Sequence, residues 1–594
     1  MSVTSHRTPR RRSAVALIIV LAVLGAFIIR LVDIQVVNAD EHVADSVSLG
    51  FGSSRVLWGE RGSIVDENGA VLAGSTVYYD AELDPTLVGS VKRFDDNKKP
   101  YKVTWEEISA EIAAITGQTP EEVQGIVTAA VAENPEGRWA QLKKGLDVDQ
   151  FRALSDLKLP YLFFTRHPSR SYPDGAVGGN LVGFVGADGK PQEGMELGMD
   201  ACLAASDGKE VFQRGRNGEV LPGTTKADPA VNGGTLQLTI NRDLQWYLQQ
   251  LIAEETQNMR AKSGTITVLE VKTGKIRAAA EYPTVDPNNV DGATADDRAS
   301  RIFHHDFEPG STFKAITAAS IMDGGSATPM STVQAPSSFK FPNGAKVNDA
   351  VGHPLTNYTL TGALVDSSNV ALSMFGDMVD QSVRYDYLKK FGVGAKTAVG
   401  LPSEVAGVLH DVKNWDNQTH YTSTFGQSFT VTAAQVAGAY QAIANGGLKM
   451  PVRVVESCTK PDGTVVEPEL PAPEQIVSEK VADDTALMVE NVMVQGQLHK
   501  ALSIPGYRVA AKTGTAEVSA PGGGYKAGVY FTSLAGFAPA DDPQYVVVVT
   551  LEEPTAIRSS AATASAFQKA MTQVLKTYRV LPSSSETPLL PRYQ

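Results

Sequence analysis

Three short polar motifs lie far apart in the chain: Ser311-Thr312-Phe313-Lys314, Ser367-Ser368-Asn369 and Lys512-Thr513-Gly514-Thr515, their first members 56 and 145 positions apart. Each is cheap alone. Used together and in that order, they demand a fold that brings three distant segments to one point. Look-alikes make context decisive, because Ser-x-x-Lys occurs five times, starting at Ser155, Ser206, Ser311, Ser337 and Ser457, and Lys-Thr-Gly twice, at Lys272 and Lys512.

Only Ser311 follows a Pro309-Gly310 turn and precedes an uninterrupted helix-forming run, Ala315-Ile316-Thr317-Ala318-Ala319, the signature of a turn feeding a helix. On a helix, residues i and i+3 share a face, so the Lys314 amine can reach the Ser311 hydroxyl. A helix start also leaves the Ser311 N–H without an intrahelical partner, available to a developing oxyanion. The other four quartets lack this lead-in and read as ordinary surface pairs. Lys272-Thr273-Gly274 lies between two β-rich runs and reads as a hairpin turn. Lys512 instead follows the strand-like Tyr507 to Ala511 and precedes the Gly-rich loop Pro521 to Gly524. It is expected on a strand with accessible backbone, where Gly514 removes a side chain beside a ligand. Ser367-Ser368-Asn369 is the one Ser-x-Asn in the chain; its plain reading is a helix cap before Val370 to Phe375, and its place between the other two motifs points to chemistry as well.

The set is that of penicillin-binding proteins and serine β-lactamases, and residues from about Gly233 to Tyr578 resemble the transpeptidase domain of a class B penicillin-binding protein. Phe307-Glu308-Pro309-Gly310, Phe425-Gly426-Gln427, Ala444-Asn445-Gly446-Gly447 and Gly536-Phe537-Ala538-Pro539-Ala540 carry the likeness beyond the three motifs. Ala511 departs from it, standing where the family usually has glycine before the lysine. The resemblance implies Ser311 as nucleophile and Lys314 as its base, with the lysine pKa lowered by burial or by a positive neighbour, Lys512. It implies that Ser367 relays the proton to the leaving amine and that Asn369 holds Lys314 and a substrate amide. Thr513, Gly514 and Thr515 are implied to bind the donor's terminal carboxylate, and the backbone N–H groups of Ser311 and Thr515 to form the oxyanion hole, typically worth about 3 kcal/mol per donor.

Arg7, Arg10, Arg11 and Arg12 precede an uncharged run from Ser13 to Ile29, continued past Arg30 by Leu31-Val32. That is long enough to cross a hydrocarbon core if Arg30 snorkels, and the arginines place the first dozen residues in the cytoplasm. Val37-Asn38-Ala39 offers a weak cleavage pattern, but the run exceeds a usual signal-peptide core. The expected organisation is a cytoplasmic tail over 1–12, an anchor over 13–32, a pedestal over 33–232, a transpeptidase domain over 233–580 and a tail over 581–594. The fold class is mixed α/β (α+β), with a transpeptidase domain on a β-rich pedestal.

Within the pedestal, Arg61 to Ala73 reads as two short strands around an Asn68-Gly69 turn. Thr104 with Glu107 and Thr119 with Pro120 and Glu122 begin helices running to about Ile115 and Glu133. Arg170-Ser171-Tyr172-Pro173 and Gly194 to Asp200 also resemble the class B pedestal. Glu193 and Glu196 are read as solvated or capping carboxylates. A net charge of -13 argues against nucleic acid as a partner. Cys202 and Cys458 are the only cysteines; an extracytoplasmic site permits a disulfide, but the sequence does not say whether they meet. His304-His305-Asp306 lacks a third ligand at helical spacing, so no metal is expected, and nothing implies a cofactor.

The pedestal likeness begins by Arg61, which leaves no glycosyltransferase domain and implies a separate membrane glycan polymerase as partner, with other division proteins. Peptidoglycan stem peptides ending in D-Ala-D-Ala, and β-lactams, are the ligands implied. The compact pedestal and the run Leu575 to Pro582 look most like the division-type branch of actinobacteria; an elongation-type enzyme, a β-lactam-hydrolysing or sensing protein, and a catalytically silent scaffold are the alternatives.

Overall fold

The computed structural model describes residues 8–33 (side chains from 13), 52–95, 97–186, 188–213, 220, 222, 224–520 and 522–594. Arg7, the Val37-Asn38-Ala39 run and Pro521 lie outside the described residues. The chain divides into two compact units, residues 1–60 with 205–232, and residues 61–204 with 233–594.

In the first unit the apolar run forms a helix, Thr8–Val32. Its stretch Ser13–Val32 is long and apolar enough to cross a membrane, and none of it is covered by protein. Arg30 ends the apolar run in an ion pair with Asp33. The same unit holds a three-stranded antiparallel sheet of Gly52–Leu57, Gly208–Gln213 and Lys226–Asp228.

The second unit is built on two sheets. The larger orders Val465–Val466, Val455–Thr459, Thr235–Leu238, Ile64–Val65, Val71–Leu83 and Ala140–Leu146, and Leu162–Ser171 also pairs with Val71–Leu83. Strands from before and after the boundary expected at 232/233 therefore share one sheet. The Asn68-Gly69 hairpin forms as expected: Asp66 Oδ1 accepts from the N–H groups of Asn68 and Ala70, and Gly69 takes the left-handed backbone such a turn needs. Both capping boxes are present, starting Trp105–Thr116 and Pro120–Glu133. The apolar sides of these helices close a small core with Ala81, Leu83, Leu142 and Tyr161.

Glu196 is neither solvated nor a cap. It is fully buried and accepts from Arg61 Nε at 2.7 Å and Arg170 Nε at 2.6 Å, while Glu193 caps Gly194–Gly198. A carboxylate this deep is tolerable because two guanidinium groups replace its water. Cys202 and Cys458 form a disulfide, joining Asp200–Leu203 to the strand Val455–Thr459.

The second sheet is antiparallel throughout, ordered Ile276–Tyr282, Ser263–Glu270, Tyr545–Glu552, Tyr525–Ala538 and Ala510–Ser519. Lys272-Thr273-Gly274 makes the expected hairpin between its first two strands. Alternation divides two cores: Val546 and Val548 face one, Val547 and Val549 the other, all fully buried. A slip of one residue would carry each pair of valines into the opposite core, against side chains packed for different neighbours. Arg242–Met259 and Ala564–Thr577 cover one face. Ala433–Ala444, buried at every position, and Lys314–Asp323, buried at all but its last, lie in the core on the other. Helices apolar all round belong at the centre of a domain, and this one carries the first motif.

Residues 581–594 are not a loose tail. Ser583 Oγ donates to Asp541, Asn491 Nδ2 donates to Pro588 O, Leu590 N donates to Asn491 Oδ1, and Thr359 N donates to Arg592 O. These bonds hold the segment as a strap along the second unit, in part by pairing its backbone with the buried Asn491 and Thr359.

Candidate active site

Ser311 sits in a 3-10 turn, Gly310–Phe313, which runs into the helix Lys314–Asp323. Residues three apart eclipse in such a turn, so Ser311 and Lys314 project from one side of it. Thr312 Oγ1 bonds Pro309 O and Tyr440 OH bonds Thr312 O, both at 2.8 Å, which fixes the turn from inside. The Gly310 N–H donates to Gly426 O, whereas Ser311 N, second in the turn, has no earlier turn carbonyl within its reach.

The strand Ala510–Ser519 is the sheet edge and lies against this turn. A Cβ on Gly310 would come within 3.3 Å of Thr515 O, and one on Gly514 within 2.8 Å of Pro309 O and 2.4 Å of Ser533 Oγ. Gly514 thus departs from its expected role. It is buried against the nucleophile turn, and its missing side chain lets strand and turn approach rather than making space for a ligand. Thr513 and Thr515, one residue to either side, face away from this contact, half-buried and exposed. Thr515 Oγ1 accepts from Ser560 N at 3.1 Å.

The middle motif supplies both cap and chemistry. Ser368 is the cap, its side chain accepting from Ala371 N at the start of Asn369–Gly376. Ser367 lies in the left-handed region at φ 57°, a conformation costing a non-glycine residue about 1 kcal/mol or more. That backbone sets Ser367 Oγ 3.1 Å from Lys314 Nζ and 3.1 Å from Lys512 Nζ. Lys314 Nζ also donates to Asn369 Oδ1 at 2.7 Å and to Ser367 O at 2.5 Å. Ser311 Oγ has no hydrogen bond among the described residues, and the hydroxyl is partly exposed to the cleft.

Electrostatics follow from burial. Lys314 and Lys512 are 0% and 1% exposed, and among the described residues no carboxylate is bonded to either amine. Burial, and then the nearby Lys512 charge, push Lys314 well below the ordinary lysine range, against a smaller upward pull from Asp349. Burial alone pushes Lys512 down to about 7. A neutral Lys314 has two N–H donors, which Ser367 O and Asn369 Oδ1 occupy, leaving its lone pair for a hydroxyl proton.

Two supports were not evident from the motifs. Asp349 accepts from Ser368 Oγ at 2.7 Å, Val370 N at 2.9 Å and His353 Nε2 at 2.8 Å, holding the middle motif from below. Asn348 O accepts from Asn369 Nδ2 at 3.0 Å, which fixes the amide so that its oxygen faces Lys314. Asp349 lies 18 residues ahead of Ser367 in an irregular stretch, where no local pattern marks it. The methyl of Ala511, in turn, points away from the cleft into the core beneath the sheet. Its strand partner is Gly536, where a Cβ would come within 2.4 Å of it, so a glycine across the sheet makes room for the departure from the family pattern. His304 Nδ1 bonds Ser403 O, and Asp306 pairs with Thr430.

A serine on a tight turn, a buried amine of lowered pKa three residues on, a second hydroxyl bridging to a second buried amine, and an open strand edge define a lysine-activated serine acyl-transferase. Residues 264–572 match the penicillin-binding protein transpeptidase domain and residues 57–238 the penicillin-binding protein dimerisation domain, and the chain belongs to the class B penicillin-binding protein family.

Among its relatives, penicillin-binding protein PbpB of Mycolicibacterium smegmatis is 34% identical over 516 residues, covering 83% of this chain and 78% of that one. Peptidoglycan D,D-transpeptidase FtsI of Escherichia coli is 28% identical over 570 residues, covering 96% and 92%. In structure, the chain is similar to a peptidoglycan synthetase from Bifidobacterium adolescentis, with a TM-score of 0.71 and 29% identity over 91% of this chain and 100% of that one. It is also similar to penicillin-binding protein 3 from Mycobacterium tuberculosis complexed with aztreonam, with a TM-score of 0.69 and 27% identity over 91% and 100%.

Proposed function

We propose that the protein is a serine D,D-transpeptidase that crosslinks peptidoglycan stem peptides during septal wall synthesis and is acylated by β-lactams. The observation that carries this reading is the buried Lys314 amine, its pKa pushed well down by burial, held by Ser367 and Asn369 one turn from the Ser311 hydroxyl.

Lys314 takes the Ser311 proton as Oγ attacks the penultimate D-Ala carbonyl. The oxyanion is met by the N–H groups of Ser311 and Thr515, on the two segments that interlock at Gly310 and Gly514. Ser367, within reach of both lysines, passes the proton from Lys314 to the departing D-Ala nitrogen. Lys512, Thr513 and Thr515 bind the donor carboxylate, for which a half-protonated lysine and two hydroxyls are a fitting set. The acyl-enzyme is then resolved by the amine of a second stem peptide, whose proton returns by the same route.

The N-terminal helix is the anchor. The arginines before it support a cytoplasmic N-terminus, and the Cys202–Cys458 disulfide supports an oxidising, extracytoplasmic side for the rest. Crosslinking there requires a membrane glycan polymerase beside the enzyme. Likeness to FtsI and to PbpB supports the division role over elongation.

Mass spectrometry after exposure to penicillin tests the reading. One adduct on Ser311, slow to hydrolyse and missing in Ser311→Ala, is expected. Acylation elsewhere, or rapid hydrolytic turnover, would overturn it, as would cells that still divide on Ser311→Ala alone.

A further inference from the structure

We infer that the C-terminal strap is part of the catalytic apparatus: Arg592 and Tyr593 are positioning residues that hold Ser367 in its left-handed backbone by gripping Asp366. The inference rests on the transpeptidase reading above and extends it to residues outside the three motifs.

The strap is tied to buried polar groups along its length. Thr587 Oγ1 donates to Glu490 Oε1 at 2.5 Å, and the fully buried Asn491 bonds both Pro588 O and Leu590 N. Gln495 Nε2 donates to Leu590 O at 2.9 Å. Beyond Pro591 the strap crosses the helix Leu360–Val365, which leads directly into the middle motif. Thr359 Oγ1 donates to Pro591 O at 2.7 Å, and a Cβ on Gly362 would lie 1.8 Å from Arg592 O. Gly362 is the residue that lets strap and helix touch. Asn357 and Gln594 exchange two hydrogen bonds, and Tyr358 lies beside Tyr593 with ring centroids 5.5 Å apart.

All this fixes Arg592 and Tyr593 at one carboxylate. Arg592 Nη2 pairs with Asp366 Oδ1, and Tyr593 OH donates to Asp366 Oδ2 at 2.5 Å. Asp366 is the last residue before Ser367, in the turn between the helices Leu360–Val365 and Asn369–Gly376. A strained φ persists only where its surroundings over-determine it. From the far side, Asp349 holds Ser368 and Val370; from the near side, the strap holds Asp366. Without that second grip, Ser367 relaxes toward an unstrained backbone, and its hydroxyl leaves the position 3.1 Å from both amines.

The test uses the full chain in detergent and follows acylation by a fluorescent penicillin from pH 5.5 to 9, in wild type, Tyr593→Phe, Arg592→Met and Asp366→Asn. Tyr593→Phe removes one oxygen and keeps the ring, so it should fold. The expected result is a fall in the acylation rate of fivefold or more in Tyr593→Phe, larger in Arg592→Met. It should be accompanied by a displaced pH profile and a melting temperature close to wild type. A strap with a purely structural role would lower the melting temperature and leave the rate and pH profile of the folded fraction unchanged, and that result overturns the inference. Unaltered acylation in Tyr593→Phe and Asp366→Asn overturns it too. If wild type itself is not acylated at Ser311, the transpeptidase reading fails instead.

Discussion

Replacing Lys512 by methionine removes a charge from the site while keeping much of the buried volume. In the native protein each lysine amine is 3.1 Å from Ser367 Oγ, so the two nitrogens are no more than about 6 Å apart. At an effective dielectric of about 20, like charges at that distance repel by roughly 3 kcal/mol, which corresponds to about 2 pKa units. Burial is the larger cause of the low Lys314 pKa and persists in the variant; the Lys512 charge is the second cause and is lost. Lys512→Met should therefore raise the Lys314 pKa and move the acid limb of the acylation profile upward by about 1 to 2 units. Lys512 itself titrates near 7, so the two profiles should differ most below neutrality and converge in shape above pH 8. The assay is the pH dependence of β-lactam acylation, with amplitude ignored because the variant also loses a carboxylate ligand. An acid limb that stays in place, or moves downward, would refute the view that Lys512 keeps Lys314 unprotonated.

Other outcomes follow from the same structure. Stability measured by urea unfolding should rise between pH 7 and 9: the folded pKa of Lys512 is depressed, so its contribution is fully present above the unfolded lysine pKa and lost as pH falls through about 7. The difference between wild type and Lys512→Met should change in that direction by about 1 kcal/mol per pH unit, and a flat difference would contradict it. Glu196→Gln leaves Arg61 and Arg170 facing a neutral group and should cost about 3 kcal/mol. It should be visible as a lower melting temperature, with acylation at 20 °C retained. Cys202→Ser with Cys458→Ser should lower stability by about 2 to 5 kcal/mol, matched by wild type under reducing conditions; indifference to reductant would show that the disulfide carries no load.

What the sequence revealed was local. Both capping boxes start helices where Thr104 and Thr119 predict them, because cap and helix are within four residues of each other. The hairpin at Lys272 and the strand at Lys512 form as expected for a similar reason, since a hairpin turn and an edge strand differ in their immediate neighbours. The geometry joining the motifs was less visible. Asp349 has no pattern around it, the left-handed Ser367 is an ordinary serine in one dimension, and Gly514 reads equally well as a ligand groove or a packing contact. The errors arose where distant charge or chain decides the outcome. Glu196 resembles a surface carboxylate until Arg61, 135 residues earlier, and Arg170 close over it. The Ser- and Pro-rich stretch after Tyr578 has a tail's composition, yet buried Asn491 and Thr359 provide it with a track. The pairing of Cys202 with Cys458, 256 positions apart, required the larger sheet to be known first.

Among the described residues, the strand Ala510–Ser519 is bonded to a neighbour on one side only. An unpaired row of amides and carbonyls is a hazard in most proteins, since any extended chain can add to it. On the proposed function it is the surface along which a peptide would lie, and amides are the part of a peptide that every sequence shares. On that same reading, a stem peptide docked there would be held by features common to all variants of its sequence, and told apart chiefly where the row ends, at Lys512, Thr513 and Thr515, one lysine and two threonines suited to a free carboxylate. Such an edge tolerates change in the body of its ligand and is strict about its terminus, so resistance by altering the strand would be costly, while selectivity could drift through the side chains around it.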